Sequence, residues 1–216
     1  LDSMQLHHGL QGEERVGVDV DADSDGVANE LTAADITAIT LFQATLPLPV
    51  IANPDDKATY SHAERGQELF GTIGCAVCHK PYLELHDPVY TEPNPYNPPG
   101  TQNVESPPSL YSVDLLAGNT SNAIEVTESG TYRVYAYTDL KRHNMGEILA
   151  NETLEQRFVE SPVWLTRKLW GIMSEPPFLH HGRATLLDEA IAAHGGEANQ
   201  SQAEYLNLSE PDRIAV

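Results

Sequence analysis

Residues 74–80, GCAVCHK, constrain this chain more than any other stretch. The pattern Cys-x-x-Cys-His is typical of the attachment site of a c-type haem. Two thiols at this spacing can form thioethers with the two vinyl groups of one haem, and the histidine that follows is then held at the iron as an axial ligand. The chain has two cysteines, and this motif uses both. The sequence therefore predicts one covalently bound haem c, attached through Cys75 and Cys78 and ligated by His79.

Three other uses of a cysteine pair fit the sequence less well. A thioredoxin-like redox pair follows a strand and opens a helix, whereas the residues before this motif have a helical pattern. A zinc site needs a second pair of ligands at finger spacing, and the chain has no further cysteine to supply one. A structural disulfide would not need the histidine. The sequence therefore favours haem attachment over these three uses.

The chain is strongly acidic, with a formal net charge of −20 over 216 residues. This charge argues against nucleic acid as a partner, because nucleic acid is bound by basic surfaces. It also disfavours an anionic membrane surface. The acidity serves solubility or, alternatively, docking to a basic redox partner protein. No apolar run in the sequence approaches the roughly 20 residues that a transmembrane helix needs.

The two ends of the sequence suggest a longer protein. The first residues, LDSM, lack the basic start and the apolar run of a signal peptide. Haem c is attached outside the bacterial cytoplasm, so we infer that a targeting segment was present and expect a periplasmic or extracellular location. Ser209 and Pro211 read as the N-cap and first turn of a helix. We expect that C-terminal helix to be truncated at residue 216.

An acidic stretch near the start of the chain matches part of a calcium-binding loop. The alternating aspartates of DADSDG, residues 21–26, occupy positions 1, 3 and 5 of an EF-hand-type loop, and the glycine occupies position 6. Position 12 is Thr32 rather than glutamate, which leaves the match incomplete. The alternative is a solvated acidic turn before a helix. The candidate calcium ligands are Asp21, Asp23, Asp25 and Glu30.

Helix signals occur on both sides of the haem motif. Thr32 is placed to cap a helix that reaches about residue 46, where prolines follow. Ser61 forms a capping-box pattern with Glu64 for a helix over 62–71 that leads to the motif. A similar start, Thr185 with Asp188, precedes an apolar helical face.

The region between these helices has loop and hairpin signals. Eight of the fifteen prolines lie in residues 81–108, which predicts a long loop that wraps the haem or acts as a lid. Residues 123–137 alternate apolar and polar side chains on both sides of a Ser-Gly pair, which predicts a β-hairpin. The tyrosines of this hairpin either form a sheet face or line the haem pocket.

Spacing alone does not fix the second axial ligand of the iron. A six-coordinate electron-transfer haem takes methionine or histidine at this position. Met145 follows a polar stretch and precedes Gly146, which suits a thioether presented from a loop, whereas Met173 follows an apolar run that suggests a core position. The other candidates are Met4, His180, His181 and His194. Arg183 is a candidate partner for a haem propionate, since a guanidinium matches carboxylate geometry.

Six motifs occur in order along the chain: NELT at 29–32, GCxxCH at 74–79, YTDL and HxMG within 137–146, LWG at 169–171, FLHxGRA at 178–184 and HGGEA at 194–198. In these motifs the chain resembles the C-terminal, electron-transfer half of the dihaem oxidoreductase superfamily, which includes bacterial cytochrome c peroxidases. It is particularly similar to the branch labelled thiol oxidoreductases. The resemblance covers nearly the whole chain.

The resemblance implies a mainly α-helical, cytochrome c-like haem domain with long proline-rich loops and the small β-hairpin. We expect an N-terminal acidic turn and helix, residues 1–56, to pack as an extension on a haem domain of residues 57–216. The resemblance also implies that Met145 is the distal ligand, because the HxMG motif carries that ligand in the peroxidase relatives. Relatives often have Asp or Asn at the position of His181, so no role is carried over to that residue.

We therefore interpret the chain as a c-type electron-transfer domain with one six-coordinate haem ligated by His79 and Met145. A filled coordination sphere leaves no open position for peroxide, so we expect no catalysis by this chain alone. Relatives carry two haem motifs. The alternative is thus the C-terminal half of a dihaem peroxidase-like oxidoreductase, whose peroxidatic haem lies in a missing N-terminal half or a partner chain. A third interpretation is a subunit of a multihaem assembly.

Overall fold

The computed structural model describes residues 8–52, 55–92, 111–117, 122–151 and 159–216. Of these residues, 37% are helical and 15% lie in strands. The helices are α1 (Glu13–Val16), α2 (Ala33–Thr45), α3 (Lys57–Thr72), α4 (Leu187–Ala192), α5 (Asn199–Leu206) and α6 (Glu210–Ala215). The strands are β1 (Leu83–Leu85), β2 (Val89–Thr91), β3 (Ser112–Asp114), β4 (Ile124–Val126), β5 (Tyr132–Val134), β6 (Arg142–Asn144) and β7 (Val163–Leu165).

The prediction of a mainly α-helical fold is wrong. The described strands form three small antiparallel sheets, with the orders β1-β5-β4, β2-β3 and β6-β7. Each of these strands has three residues. A strand of that length is too short to show the alternation of apolar and polar residues that identifies strands in a sequence. The predicted loop over residues 81–108 therefore contains β1 and β2, and its residues 93–108 lie outside the described residues.

The chain forms two compact units. One comprises Leu1–Leu48 and Asp87–Thr120, and the other comprises Pro49–His86 and Ser121–Val216. These units follow contacts within the fold and are not the same partition as the predicted segments 1–56 and 57–216, which stay a prediction. In the part of the chain that the structure describes, no helix combines the length and the apolar character needed to cross a bilayer.

The first unit contains the acidic loop, α2 and the β2–β3 pair. Thr32 caps α2 as predicted: its hydroxyl accepts the Asp35 N–H at 3.1 Å, and the Asp35 carboxylate accepts the Thr32 N–H at 3.0 Å. The buried Glu13 adds a further bond by accepting the Ala33 N–H at 2.6 Å. Helix α2 is thus fixed at its start by two carboxylates, one local and one from α1.

The second unit contains the cysteine motif, five of the strands and the remaining described helices. The predicted hairpin is present as β4–β5, with Gly130 at φ +79 in its turn. It is not an isolated hairpin, because β1 pairs with the other edge of β5. Strands β6 and β7 form their own pair, with His143 opposite Trp164.

Helix α3 leads to the cysteine motif and begins earlier than predicted. Its N-cap is Asp56, whose carboxylate accepts a first-turn N–H at 2.9 Å, and Ser61 lies inside the helix. Helix α6 crosses α3 at Gly66, where a Cβ would overlap the Ala215 carbonyl oxygen. The glycine therefore allows the two helix backbones to touch.

The C-terminal helices are joined by side-chain bonds. Ser209 caps α6, as predicted. At the start of α4, Thr185 donates its N–H to Glu189 at 2.8 Å, so the capping carboxylate is Glu189 rather than the predicted Asp188. Asp188 instead accepts the hydroxyl of the buried Tyr205 at 2.9 Å, which ties α4 to α5.

Candidate functional site

The end of α3 leads into a compact turn that carries both cysteines. Gly74 adopts φ +92, a conformation that glycine reaches without strain. A Cβ at this position would come within 2.7 Å of the Ser201 hydroxyl. A 3-10 turn, Cys75–Val77, follows, and the His79 N–H donates to the Cys75 carbonyl at 2.9 Å. The turn therefore holds two free, half-buried thiols and one imidazole close together.

The electrostatics of the two thiols do not suit a redox-active pair. Burial raises the pKa of the Cys75 thiol. Burial and the charges of Asp139 and Glu197 raise the pKa of the Cys78 thiol. Redox-active and nucleophilic cysteines have lowered pKa values, because the thiolate is the reactive form. The site thus argues against thioredoxin-like use of these cysteines.

The His79 ring is oriented through its Nδ1 atom. This nitrogen lies 3.0 Å from the Tyr137 carbonyl oxygen, which can only accept, so Nδ1 carries the proton and Nε2 carries the lone pair. Backbone bonds fix the Tyr137 segment to the motif: Tyr137 donates to Pro81 at 3.3 Å, and Thr138 donates to Lys80 at 3.0 Å. Burial lowers the pKa of His79, which favours the neutral imidazole that binds metals. A backbone carbonyl on the second ring nitrogen is typical of metal-ligating histidines.

Met145 follows β6 and lies against the turn that begins at Gly195. Its N–H donates to the Pro162 carbonyl at 2.8 Å. A Cβ on Gly195 would come within 2.8 Å of the Met145 carbonyl oxygen, and a Cβ on Gly146 would come within 2.8 Å of the Gly196 nitrogen. The HxMG and HGGEA stretches are thus packed backbone to backbone, at positions where only glycine fits.

His143 bridges two carboxylates next to Met145. Its Nδ1 lies 2.8 Å from Glu197 Oε2, and its Nε2 lies 2.9 Å from Asp139 Oδ2. The bonds to Glu197 and Asp139 raise the pKa of His143, and the bond from His143 lowers the pKa of Glu197. Possible ligand atoms of Cys78, Asp139 and His143 all lie within 4.8 Å of one another. The cysteine turn (residues 74–79) and the Met145 segment (residues 142–146) therefore meet at Cys78, Asp139 and His143.

Comparison with known proteins assigns the chain to a family. A family model described as "Di-haem oxidoreductase, putative peroxidase" matches residues 108–216, just over half of the chain. The chain belongs to this di-haem oxidoreductase family. Membership confirms the suspected superfamily and implies haem binding and oxidoreductase-type function. The match includes four of the six motifs, whereas NELT and GCxxCH precede it. No curated protein and no solved structure matches the chain.

The family match and the cysteine motif are independent observations. The matched residues include Met145 and Arg183, whereas the CxxCH motif precedes them. The donor set of the motif fits a covalently attached haem, with two thiols and an imidazole whose Nε2 carries the lone pair. In the polypeptide alone, Val77 is 71% exposed and Leu140 is 63% exposed. This is apolar surface that a flat apolar cofactor bound at the motif can cover.

The structure separates the methionine candidates. Met145 is half-buried in the packed segment described above. Met173 is 72% exposed in the 3-10 turn Ile172–Ser174, so its predicted core position is wrong. The apolar run before Met173 ends in a turn that directs the residue outward. Met4 lies outside the described residues.

His180 and His181 have other neighbours, whereas the charge of His194 adds to burial in lowering the pKa of His79, so His194 lies near that ring. The ring centroids of His180 and His181 lie 3.9 Å and 5.4 Å from that of Trp164, so these three side chains form an aromatic group. His194 lies just after α4, and its Nδ1 atom lies 2.7 Å from the carbonyl oxygen of Ala190 in that helix.

Arg183 is exposed and borders a cleft of about 140 Å³. The residues around this cleft are Ile148, Leu149, Asn151, Leu179, His181, Arg183, Ala184, Glu189 and Ala193. Neither cysteine of the motif is among them. The pairing of Arg183 with a haem propionate therefore stays a prediction.

The acidic loop brings together three of its four candidate calcium ligands. Carboxylate oxygens of Asp21, Asp23 and Asp25 lie within 4.8 Å of one another. The Gly26 N–H and two further backbone N–H groups donate to Asp21 and lower its pKa. Desolvation and the charge of Asp25 raise the pKa of Asp23. Glu30 is not among these three, and its carboxylate accepts the Gln11 N–H at 2.9 Å. Calcium binding here stays a prediction.

Sequence reasoning gave Asp139, His143 and Glu197 no role, although the motifs contain all three. His143 and Glu197 are 54 positions apart, and a contact at that separation leaves no periodic signal in one sequence. The Tyr137 carbonyl was missed for another reason: it is a backbone group, so the residue type does not reveal it. The paired glycines before Glu197 were the one usable signal, because adjacent glycines indicate a close backbone approach.

Proposed function

We propose that the chain is an electron-transfer domain that carries one covalently bound, six-coordinate haem c. Cys75 and Cys78 would hold the haem through thioethers, and His79 and Met145 would ligate its iron. The observation that carries this proposal is the bond from His79 Nδ1 to the Tyr137 carbonyl at 3.0 Å. It leaves Nε2 as the donor atom, in a turn that also presents both thiols.

The residues of the chain set the properties of this centre. A bound haem supplies one-electron chemistry at its iron. The Met145 thioether is a softer and weaker donor than a second imidazole, so it favours ferrous iron and raises the reduction potential. With His79 and Met145 both ligating, no coordination position stays open for peroxide. We therefore infer that this chain relays electrons and does not reduce peroxide by itself.

We place the protein in the periplasm or outside the cell, because haem c is attached outside the bacterial cytoplasm. Its partner in this setting is a redox protein or a second haem domain. A net charge of −20 suits a partner with a basic docking surface, since complementary charge speeds encounter.

The family favours a second candidate function. Its members are di-haem oxidoreductases, whereas the two cysteines of this sequence supply one attachment motif. In this candidate, the chain is the electron-transfer half of a peroxidase-like enzyme. The second haem, which binds peroxide, then belongs to an N-terminal half outside this sequence, to a partner chain or to a larger multihaem assembly.

Covalent haem content and peroxide turnover test the proposal together. The chain, matured in a host that attaches haem c, should retain one haem per 23.6 kDa polypeptide under denaturing conditions. Cys75→Ala and Cys78→Ala should each lose one thioether, which shifts the pyridine haemochrome band, and the double variant should lose covalent haem. A matured chain without covalent haem refutes the proposal. Peroxide turnover at enzymatic rates by the loaded chain contradicts the relay role, and a native source protein with two haems supports the second candidate.

A further inference from the structure

We propose that Asp139, His143 and Glu197 form a clamp that positions Met145 for the iron. The inference rests on the proposed function, since it concerns the surroundings of one proposed ligand. None of the three residues is a proposed ligand of the iron. They are positioning residues that act on Met145 through the two residues before it, His143 and Asn144.

Glu197 binds the residues before Met145 at two points. Its Oε2 lies 2.8 Å from His143 Nδ1, and its Oε1 accepts the Asn144 N–H at 2.8 Å. Asp139 holds the opposite nitrogen of the same imidazole at 2.9 Å, and its side chain is 5% exposed. The His143 side chain is thus held by the carboxylates of Asp139 and Glu197, and the Asn144 N–H is held by Glu197. The His143 ring cannot turn without breaking both of its bonds.

Backbone packing holds Met145 from the other side. The Met145 N–H is bound to the Pro162 carbonyl at 2.8 Å. The Met145 carbonyl lies directly over Gly195, and Gly146 lies over Gly196. Since these contacts leave no space for a Cβ, the segment has little freedom to shift within the fold. The position of Met145 is therefore set jointly by the clamp, by the Pro162 bond and by the glycine contacts.

The clamp also lies against the cysteine turn. The Cys78 sulfur, an Asp139 carboxylate oxygen and a His143 ring nitrogen lie within 4.8 Å of one another. This proximity places the clamp, and with it Met145, next to the turn that would hold the haem. A thioether is a weak ligand for ferric iron, so its occupancy depends on how well the protein presents it. Removing an outer contact of a metal ligand typically weakens binding about 10- to 100-fold.

Displacement of Met145 by added imidazole measures this effect in the haem-loaded chain. Imidazole competes with the thioether for the ferric iron, so its apparent Kd falls by the factor by which Met145 binding weakens. We expect a fall of about 10- to 100-fold in His143→Phe and Glu197→Ala. Glu197→Gln should give a smaller fall, because its amide oxygen can still accept one N–H. Arg142→Gln alters the exposed neighbour on the same strand and should leave the Kd unchanged.

A purely structural role predicts a different result. It would lower the melting temperature of the variants without changing the apparent Kd for imidazole, and that outcome overturns the clamp. If His143→Phe fails to fold with haem, Glu197→Gln decides: an unchanged Kd refutes the proposal and a lowered Kd supports it.

Failure of the clamp can be told apart from failure of the proposed function. The far-red ferric band that reports sulfur-to-iron ligation should be present in the wild type and absent in Met145→Ala. If that comparison fails, Met145 is not the ligand and the proposed ligation falls with it. If that comparison holds and the clamp variants bind imidazole like the wild type, the clamp alone is wrong.

Discussion

Replacing Gly196 with alanine should break the contact that packs the Met145 segment against the HGGEA turn. Gly196 has φ +53, and a side chain in this left-handed region costs about 1–2 kcal/mol. A Cβ at Gly196 would also come within 2.7 Å of the Gly146 nitrogen and would overlap the Asn144 carbonyl oxygen. Overpacking of this kind costs about 1–3 kcal/mol. We therefore expect Gly196→Ala to lower the free energy of unfolding by about 2–5 kcal/mol.

Gly171 provides a matched control. It has φ +65, and a Cβ there meets no heavy atom of the described residues within 4 Å. Gly171→Ala should therefore lose only the conformational part, about 1–2 kcal/mol. The difference between the two variants, about 1–3 kcal/mol, isolates the backbone contact between Gly196 and the Met145 segment.

Urea unfolding of the haem-loaded chain, followed by circular dichroism, measures both losses. Domains of this size are typically stable by about 5–15 kcal/mol, so the expected loss is measurable while the variant still folds. The far-red ferric band should also weaken in Gly196→Ala and not in Gly171→Ala. Equal free-energy losses in the two variants would contradict this prediction, because the close contact at Gly196 would then contribute nothing to stability.

Three further predictions concern other parts of the chain. Gly66→Ala should destabilise the chain by about 1–3 kcal/mol or more, because its Cβ would overlap the Ala215 carbonyl. Gly71→Ala, in an open position of the same helix, should instead stabilise the chain by up to about 1 kcal/mol. Urea midpoints that shift in the same direction in both variants would contradict this prediction. Burial and the bond to Asp188 raise the pKa of Tyr205 from 10.0 to about 12. The stability that the protonated phenol contributes is thus present below pH 10 and lost as pH rises to about 12, so melting temperatures over this range should fall more steeply in the wild type than in Tyr205→Phe. Calcium added after chelator treatment should raise the melting temperature through the loop 21–26, and no change would make that loop a solvated turn.

Local capping chemistry was readable from the sequence. Thr32 and Ser209 begin the helices predicted for them, because a hydroxyl that closes the first turn leaves a recognisable pattern. The start of α3 was misplaced because two acceptable caps lie close together. Asp56 takes the role, and Ser61 is then inside the helix. Which of the two residues caps the helix depends on the packing of the first helical turn, and that packing cannot be read from the local sequence.

The sheets and the surroundings of the site were not readable in the same way. Three-residue strands such as β6 and β7 pair through backbone bonds, and these bonds depend little on residue type. The motif of Cys75, Cys78 and His79 is local and could be named directly. The contacts that bring His143 to Glu197, and Gly146 to Gly196, join distant parts of the chain. Such contacts exist only after folding, so one sequence gives the residues but not their partners.

The ferric absorption spectrum of the matured chain reports whether His79 and Met145 ligate one haem iron, as we propose. We predict that the wild type shows the far-red band of sulfur-to-iron ligation, and that Met145→Ala loses it and has a lower reduction potential. A band that survives Met145→Ala would assign the ligand to Met173 or Met4. A wild-type spectrum without the band would contradict methionine ligation and favour a second histidine, with His180 or His181 as the leading candidates.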